Sequence, residues 1–389
     1  MTSASSRVSA FLSAQANDYP ELTQYERMQQ LYSGKLWHQL TDLVDEFVRD
    51  PETTRGENKV QLYEHFICEF EGRMNQLRFA QVLTEICKLQ AETSDAVALI
   101  TTTLEKQARL GQEATIYLEC ALGLFRLSTQ SEADRALAAA TIKEKRESVE
   151  GLGGDDTTVP SIYYQLSSTY YKLVGPPESF YKDALMFLVY TPMESVPQEE
   201  RYTLATDLSL AAITGNGIYN FGEVLATPIL SALEATPNAW LSKMMRVFHA
   251  GDIDGFGTLM DEHAAAIAEQ PAITARVDFV KEKIALLAFM DLVFQKPAHE
   301  RGIAFAEIAE RTRLPLEQVE WLVMRAMSLK LIKGVIDEIE QVVEVSWLQP
   351  RVLEVGQLEQ MVGRLDEWTA RVKETQVFLE EQAPELLQF

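Results

Sequence analysis

The 389-residue sequence has few cysteines and no long apolar run. Its three cysteines are an odd number and sit far apart inside apolar helical patterns, which fits buried reduced thiols better than a disulfide framework. The longest apolar run, IALLAFM at 284–290, is far shorter than the roughly 18 residues that a membrane helix needs. The amino terminus has one Arg and a short, serine-interrupted apolar stretch, unlike a signal peptide. We therefore expect a soluble intracellular protein.

Positive charge is also scarce in this sequence. The chain has 35 Lys and Arg residues against 58 Asp and Glu residues, which gives a formal net charge of -23. A protein this acidic repels phosphate backbones and anionic lipid surfaces. Nucleic acids and membranes are therefore not expected among its partners.

The sequence contains no motif of enzyme chemistry. Its five histidines are scattered, and the patterns H-E-x-x-H, C-x-x-C, G-x-S-x-G and the phosphate-binding loop are absent. One segment resembles a calcium loop, because Asp252 and Asp254 take the first and third positions. However, Phe256 and His263 occupy the fifth and twelfth positions, where oxygen ligands are required. We expect no catalytic residue, no metal and no cofactor, and we predict a helix connection in which Phe248 packs on Phe256.

Most of the chain has helical periodicity. Between Tyr19 and Leu127, apolar residues recur every three or four positions in blocks about one helix long. In one block, the residues predicted on a single face are Leu36, Leu40, Leu43, Val44 and Phe47. Helix pairs of this kind bury their apolar faces by stacking in series. The sequence therefore predicts a mainly α protein that begins with a TPR-like α-solenoid.

The segment 301–350 combines two helices with two strands. The first helix places Phe305 and Ile308 on one face. The second helix has an apolar face formed by Val319, Leu322, Val323, Ala326 and Met327. Over 329–347 the pattern becomes extended and alternating. Helix, turn, helix and a two-stranded wing form the order of a winged helix with a small antiparallel β-sheet.

The distribution of charged residues indicates which class of partner this winged helix binds. Over 301–347 there are six basic and eight acidic residues. Glu317 and Glu320 stand near the start of the second helix, where a DNA-reading helix presents residues to the bases, and the wing tip DEIEQ is also acidic. The sequence therefore predicts a protein-binding winged helix whose strand edges can extend a partner's sheet.

Alternation along the second strand places Val343, Val345 and Trp347 on one side. We expect the wing to contact a partner, while any inward-facing members of the set serve the domain's own core. The candidate contact residues of the wing are Val335, Ile336, Val343, Val345 and Trp347.

The last segment, 351–389, predicts one long helix with a narrow apolar stripe. Apolar residues alternate at spacings of three and four over about four heptads, which are the a and d positions of a coiled coil. The candidate contact residues of this helix are Leu358, Met361, Leu365, Trp368, Val372 and Leu379. A stripe this long exceeds one domain face, so we expect it to pack on partner helices rather than on its own domain.

Three stretches carry a resemblance to a known family. They are DLSLAAITGNGIYNFGEVLATPIL at 207–230, FAEIAERTRLPLEQVEWLVMRAMSLKLIKGVIDEIEQVVEVSWLQPRVL at 305–353 and LDEWTARVK at 365–373. With them, the sequence resembles the PCI-domain subunits of the 26S proteasome regulatory particle lid. The resemblance implies a TPR-like solenoid at 1–235, the helical part of a PCI domain at 236–300, its winged helix at 301–350 and a C-terminal interaction helix at 351–389.

The resemblance also implies a function. It implies a non-catalytic scaffold subunit of a hetero-oligomeric complex in the cytoplasm and nucleus, which contributes to lid assembly and ubiquitin-dependent protein degradation. The winged-helix edges would join other PCI-type lid subunits, and the terminal helix would enter a shared helical bundle. Three alternatives stay open: a PCI subunit of a signalosome or translation initiation factor complex, a winged-helix adaptor for nucleic acid, and an enzyme whose catalytic groups come from distant residues.

Overall fold

The backbone folds into two compact units, Met1–Val196 and Pro197–Phe389. The computed structural model describes residues 2–19, 21–50, 53, 58–90, 93–105, 110–129, 131–152, 156–234, 236–296, 301–352 and 355–382. Within these ranges, no helix combines the length and the apolar character that crossing a membrane requires. The four segments implied by the family resemblance divide the chain differently, and that division stays a prediction.

The first unit is built from helices. They are α1 (Thr2–Asp18), α2 (Gln24–Ser33), α3 (Trp37–Arg49), α4 (Asn58–Leu62), α5 (Cys68–Phe70), α6 (Gln76–Lys88), α7 (Thr93–Glu105), α8 (Gln112–Ser128), α9 (Glu132–Glu150), α10 (Thr158–Val174) and α11 (Pro177–Tyr190). A short π-helix over Tyr63–Ile67 joins α4 to α5. Neighbours such as α7 and α8, or α10 and α11, pack on each other, and α8 also packs on α6 and α10. This serial stacking confirms the predicted α-solenoid.

The periodicity of α3 explains how these helices bury their core. Leu40, Val44 and Phe47 are spaced by four and three, and each is at most 1% exposed. Leu36 is 48% exposed, because the helix begins only at Trp37. The prediction that Leu36 shares the buried face is therefore wrong. Periodicity identifies a face, but it does not locate the first residue of a helix.

The three cysteines are not joined in disulfides, and they lie in different surroundings. Cys87 and Cys120 are buried, and burial raises the pKa of both thiols to about 12. Cys68 is exposed, so the expectation of three buried thiols is wrong for this residue.

Only Cys68 is expected to react with a thiol reagent in the folded chain. The thiolate is the reactive form, and a pKa of about 12 leaves roughly one buried thiol in ten thousand ionised at pH 8. Mass spectrometry after brief alkylation with iodoacetamide at pH 8 checks this prediction. The denatured chain, in which all three thiols should react, is the control. Rapid labelling of Cys120 in the folded chain would contradict its burial.

The second unit contains further helices and one sheet. Its helices are α12 (Gln198–Thr214), α13 (Gly222–Leu225), α14 (Ala239–Ala250), α15 (Ile253–Glu262), α16 (Ala264–Ala268), α17 (Pro271–Thr274), α18 (Val277–Gln295), α19 (Phe305–Thr312), α20 (Leu316–Ser328) and α21 (Val355–Gln382). Its strands are β1 (Gly302–Ala304), β2 (Ile332–Asp337) and β3 (Val342–Leu348). The run from β1 to β3 confirms the predicted winged helix.

Helix α18 forms the core of the second unit. Val280 and Phe289 are at most 1% exposed, as expected for a helix that is apolar nearly all round. The same helix carries a buried cation, Lys283, whose Nζ donates to the carbonyl oxygens of Ala212 (2.6 Å) and Gly215 (2.9 Å). These carbonyls lie at the end of α12, where the helix dipole is negative, so a cation is stabilised there.

A tight turn joins α14 to α15 at the position of the calcium-loop pattern. Gly251 has a φ of 63°, the left-handed conformation that ends α14. The Asp252 carboxylate accepts a hydrogen bond from the Gly255 backbone N–H at 3.0 Å, so it caps α15. The ring centroids of Phe248 and Phe256 lie 5.5 Å apart in an edge-to-face arrangement. The predicted packing of these two rings is confirmed.

The sheet of the winged helix has three strands rather than the two predicted. β3 lies between the other two strands, in the order β1-β3-β2, and both pairings are antiparallel. β1 has only three residues and was not predicted. Its Ile303 is fully buried and pairs with Val343. The edges of the sheet are therefore β1 and β2, and β3 is internal.

A β-bulge determines the side of β3 on which Trp347 lies. Lys333 pairs with Trp347, but Gly334 pairs with Val345, so Ser346 is an extra residue in β3. The extra residue shifts the alternation by one position. Val345 is 4% exposed, whereas Trp347 is 37% exposed. The prediction that Trp347 shares a side with Val345 is therefore wrong.

Candidate protein interfaces

The five candidate residues of the wing fall into two groups. Val343 and Val345 are buried, so in the folded chain they belong to the core of the winged helix. Val335 is 68% exposed, Trp347 is exposed, and Ile336 is partly buried. Only these three side chains are accessible to a partner of the folded chain.

The exposed wing residues lie next to the free edge of the sheet. On the outer face, Val335 stands opposite Glu344, and Lys333 stands opposite Trp347. The Lys333 ammonium lies 5.1 Å from the ring centroid of Trp347, within range of a cation–π interaction. In the part of the chain that the structure describes, β2 has no strand on its outer side. Its backbone groups can therefore pair with a strand from a partner.

Three of the six basic residues of the winged helix are engaged in ion pairs within the second unit. Three ion pairs hold them: Arg311–Asp291 at 3.1 Å, Arg313–Asp254 at 2.9 Å and Arg325–Glu282 at 2.8 Å. Glu317, Glu338 and Glu340 are exposed on the second helix and the wing tip. Binding to DNA requires cations that neutralise phosphates, and here both contacting elements present carboxylates instead. The arrangement disfavours nucleic acid and favours protein as the class of partner.

A charged cleft of about 300 Å³ is bordered by α15 and α19. It is lined by Asp252, Ile253, Asp254, Leu292, Glu307, Glu310, Arg311 and Arg313. The hydrogen bond from Arg313 lowers the pKa of the Asp254 carboxyl below its ordinary value. Among the residues that the structure describes, no three His, Cys, Asp or Glu side chains come together as a metal site requires. Within the cleft, Asp254 and Arg313 pair with each other, whereas Arg311 pairs with Asp291 and Glu307 pairs with Lys296.

Helix α21 exposes the whole predicted stripe. The helix has 28 residues, and the end of the predicted segment, 383–389, lies outside the described residues. The exposed fractions are 49% for Leu358, 40% for Met361, 58% for Leu365, 65% for Trp368, 46% for Val372 and 51% for Leu379. An apolar seam of this length in contact with water is typical of a helix that packs on partner helices.

Arg364 fastens α21 to the end of α18. Its guanidinium donates to the carbonyl oxygens of Phe294 (3.1 Å) and Gln295 (2.8 Å), and it lies 5.6 Å from the centroid of the Phe294 ring. Carbonyls at the end of a helix lack intrahelical partners, so a cation both satisfies them and stabilises the helix dipole. When Leu365 is assigned to an a position of the heptad, Arg364 occupies the preceding g position. The contact of Arg364 with α18 therefore leaves the residues at the a and d positions exposed.

The structure adds exposed apolar residues that the sequence patterns did not single out. Val362 and Phe378 are 56% and 60% exposed, and they flank the stripe of α21 at e and g positions. On α20, Trp321 and Met324 are 53% and 48% exposed. Val362 and Phe378 could have been found from the sequence, because the heptad pattern places them at e and g positions beside the stripe. The exposure of Trp321 and Met324 depends on which elements cover α20, and no local sequence pattern indicates which elements do so.

Comparison with known protein families gives two matches. The family described as PSD13 N-terminal repeats matches residues 24–245, which is more than half of the chain. The PCI domain family matches residues 260–347, which contain the winged helix. Both matches agree with a helical-repeat region followed by a PCI domain.

Named relatives match almost the whole chain. The 26S proteasome non-ATPase regulatory subunit 13 homolog B of Arabidopsis thaliana is 34% identical over 97% of this chain and 98% of its own. The probable 26S proteasome regulatory subunit rpn9 of Schizosaccharomyces pombe is 34% identical over 96% of both chains. A translation initiation factor 3 subunit M of Chaetomium globosum is 23% identical over only 61% of this chain and 56% of its own, which favours the proteasomal resemblance over the initiation-factor alternative. The chain belongs to the family of the 26S proteasome non-ATPase regulatory subunit 13, a family of proteasome regulatory subunits with a PCI domain.

Proposed function

We propose that this chain is a non-catalytic scaffold subunit of the 26S proteasome lid. The observation that carries the proposal is the exposed stripe of α21, which runs from Leu358 to Leu379. Fully burying one such apolar side chain contributes about 1.5–3 kcal/mol, so several of them buried together against partner helices would support stable association. We expect α21 to enter a helical bundle with other PCI-type lid subunits.

The wing provides the second proposed contact. The outer edge of β2, with Val335 and Ile336, is available for pairing with the winged helix of a neighbouring subunit. Trp347 lies on the outer face beside this edge, where an aromatic side chain adds apolar contact area. Backbone pairing along the edge would fix the register, and these side chains would distinguish the correct neighbour from other strands.

The scaffold proposal also implies a role for each of the four segments of the chain. The solenoid at 1–235 would project from the assembly, and the helical segment at 236–300 would support the winged helix at 301–350. The interaction helix at 351–389 would anchor the subunit. The subunit would hold its neighbours in place during ubiquitin-dependent protein degradation, in the cytoplasm and nucleus.

Native mass spectrometry of the tagged chain, isolated from its own cells with and without residues 355–389, tests the proposal. We expect the full-length chain in an assembly of roughly a megadalton that also contains proteasomal ATPase activity. We expect the truncated chain to be recovered free of that assembly, because the stripe of α21 provides the anchor.

Two other results would contradict the lid assignment. Recovery in a large assembly without proteasomal ATPase activity would favour the signalosome or the initiation factor. Recovery of both versions as free monomers would remove the scaffold role, and the apolar stripe would then need another explanation. The stability of the truncated chain, measured by thermal unfolding, separates loss of the anchor from loss of the fold.

A further inference from the structure

The outward face of α20 is an exposed apolar surface distinct from the wing edge and from α21. Trp321 and Met324 lie three residues apart on one side of this helix, and about half of each side chain is exposed. The opposite side is fully used for packing, because Val319 and Val323 are both 0% exposed. Trp and Met are enriched at protein interfaces, where they supply a large contact area.

Carboxylates border this apolar pair. Glu317 lies one turn before Trp321 and is exposed, and Glu320 is partly exposed beside it. The only cation in the sequence of α20 is Arg325, and Glu282 holds its guanidinium at 2.8 Å. The outward face of α20 therefore combines apolar area with negative charge.

Charge complementarity limits the occupants of this face. Phosphate backbones and anionic lipids are repelled by Glu317 and Glu320. A second copy of the chain, packed face to face, would bring these carboxylates against their own counterparts, and like charges at an interface are unfavourable. A basic segment with apolar residues meets neither obstacle.

We propose that the outward face of α20 docks a basic amphipathic segment of another protein. An apolar side chain of the segment packs against Trp321 and Met324. A Lys or Arg of the segment lies near Glu317 and Glu320, where it can also contact the indole face. This surface does not depend on the proposed lid contacts.

Titration of the full chain with a fluorescent 18-residue peptide tests the proposal. The peptide carries leucine on one helical face and lysine on the other, and binding is followed by fluorescence anisotropy at physiological salt. We expect the variant Trp321→Ala with Met324→Ala to bind at least about tenfold more weakly, because central apolar anchors dominate such contacts. The variant Glu317→Lys with Glu320→Lys should lose at least as much affinity, and a peptide with glutamate in place of lysine should not bind.

A matched control separates docking from general attraction to an acidic protein. Glu199→Lys with Glu200→Lys makes the same change in net charge at exposed positions of α12, and it should change the affinity by less than about twofold. Equal losses in the two charge-reversal variants would overturn the proposal. So would unchanged affinity after Trp321→Ala.

Two further measurements distinguish loss of peptide binding from unfolding and from self-association of the chain. Thermal unfolding checks that each variant is folded, and if Trp321→Ala destabilises the chain, Trp321→Gln replaces it. Analytical ultracentrifugation without peptide checks for self-association. A dimer that Trp321→Gln disrupts would identify a second copy as the occupant and overturn the proposal, whereas a monomer that binds the lysine peptide through Trp321 supports it.

Discussion

Replacing Leu365 and Trp368 together by Asp is expected to release the chain from its complex without unfolding it. Both side chains lie on the exposed stripe of α21, at 58% and 65% exposed. In a helical bundle they would be buried, and a carboxylate at either position would have to lose its hydration. In the free chain the new carboxylates stay in water, so we expect the free energy of unfolding to change by about 0.5 kcal/mol or less.

Affinity purification from cells that express the tagged variant, followed by native mass spectrometry, measures the effect. We expect incorporation to fall by at least about a hundredfold, because each lost apolar anchor removes about 1.5–3 kcal/mol and each 1.4 kcal/mol is a factor of ten. The melting temperature of the purified variant should stay within about 2 °C of the wild-type value.

The matched control is Ala370→Asp with Val377→Asp. Both residues occupy f positions, on the side of α21 away from the stripe, and Val377 is 52% exposed. This control adds the same two negative charges to the same helix, and it should enter the complex like the wild type. If both variants lose incorporation into the complex equally, then added charge or helix stability governs incorporation, and the apolar stripe does not. Unfolding of Leu365→Asp with Trp368→Asp would mean that α21 packs on its own domain.

The faces of the long helices were predictable because each face has its own local pattern. The a and d spacing places Leu365 and Trp368 on one side of α21 whatever the rest of the chain does. The same reasoning identified the inner face of α20, where Leu322 is 1% and Ala326 0% exposed. Such patterns tell which residues share a face. They do not tell whether another element covers that face, and so Trp321 was not recognised.

The side on which Trp347 lies could not be predicted, because one extra residue in β3 reverses every later position. The bulge requires Gly334, since a Cβ there would lie 2.2 Å from the carbonyl oxygen of Glu344. The glycine is visible in the sequence, but a glycine in a strand marks several different irregularities. β1 was missed because its three residues are too few for an alternating pattern, and they become a strand by pairing with β3.

The attachment of α21 was also beyond prediction, because ion pairs between distant residues leave no pattern in one sequence. Arg351 and Asp291 are 60 residues apart, yet their side chains meet at 3.0 Å and are 4% and 8% exposed. The Arg351 guanidinium also lies 5.3 Å from the centroid of the Phe294 ring, the same ring that Arg364 contacts from α21. Arg351, which precedes α21, and Arg364, which lies within it, thus each contact α18.

Replacing Asp291 by Ala is expected to lower the free energy of unfolding of the second unit by about 3–5 kcal/mol, because it leaves a buried arginine without its counter-charge. The Asp291 carboxylate accepts hydrogen bonds from Arg351 at 3.0 Å, from Arg311 at 3.1 Å and from Gln295 at 2.7 Å. Hydrogen exchange of the α18 amides in increasing urea measures the loss. Faster exchange at the start of α21 should accompany it.

Two further variants decide whether the buried charge is the cause. Asp254→Ala also removes the carboxylate partner of an arginine, Arg313, but both side chains are exposed, at 74% and 60%, so the stability should hardly change. Adding Arg351→Met to Asp291→Ala removes the unpaired cation and supplies apolar volume, so it should recover most of the lost stability. If the double variant is as unstable as Asp291→Ala alone, the unpaired cation is not the cause, and the packing of the Asp291 side chain must account for the loss.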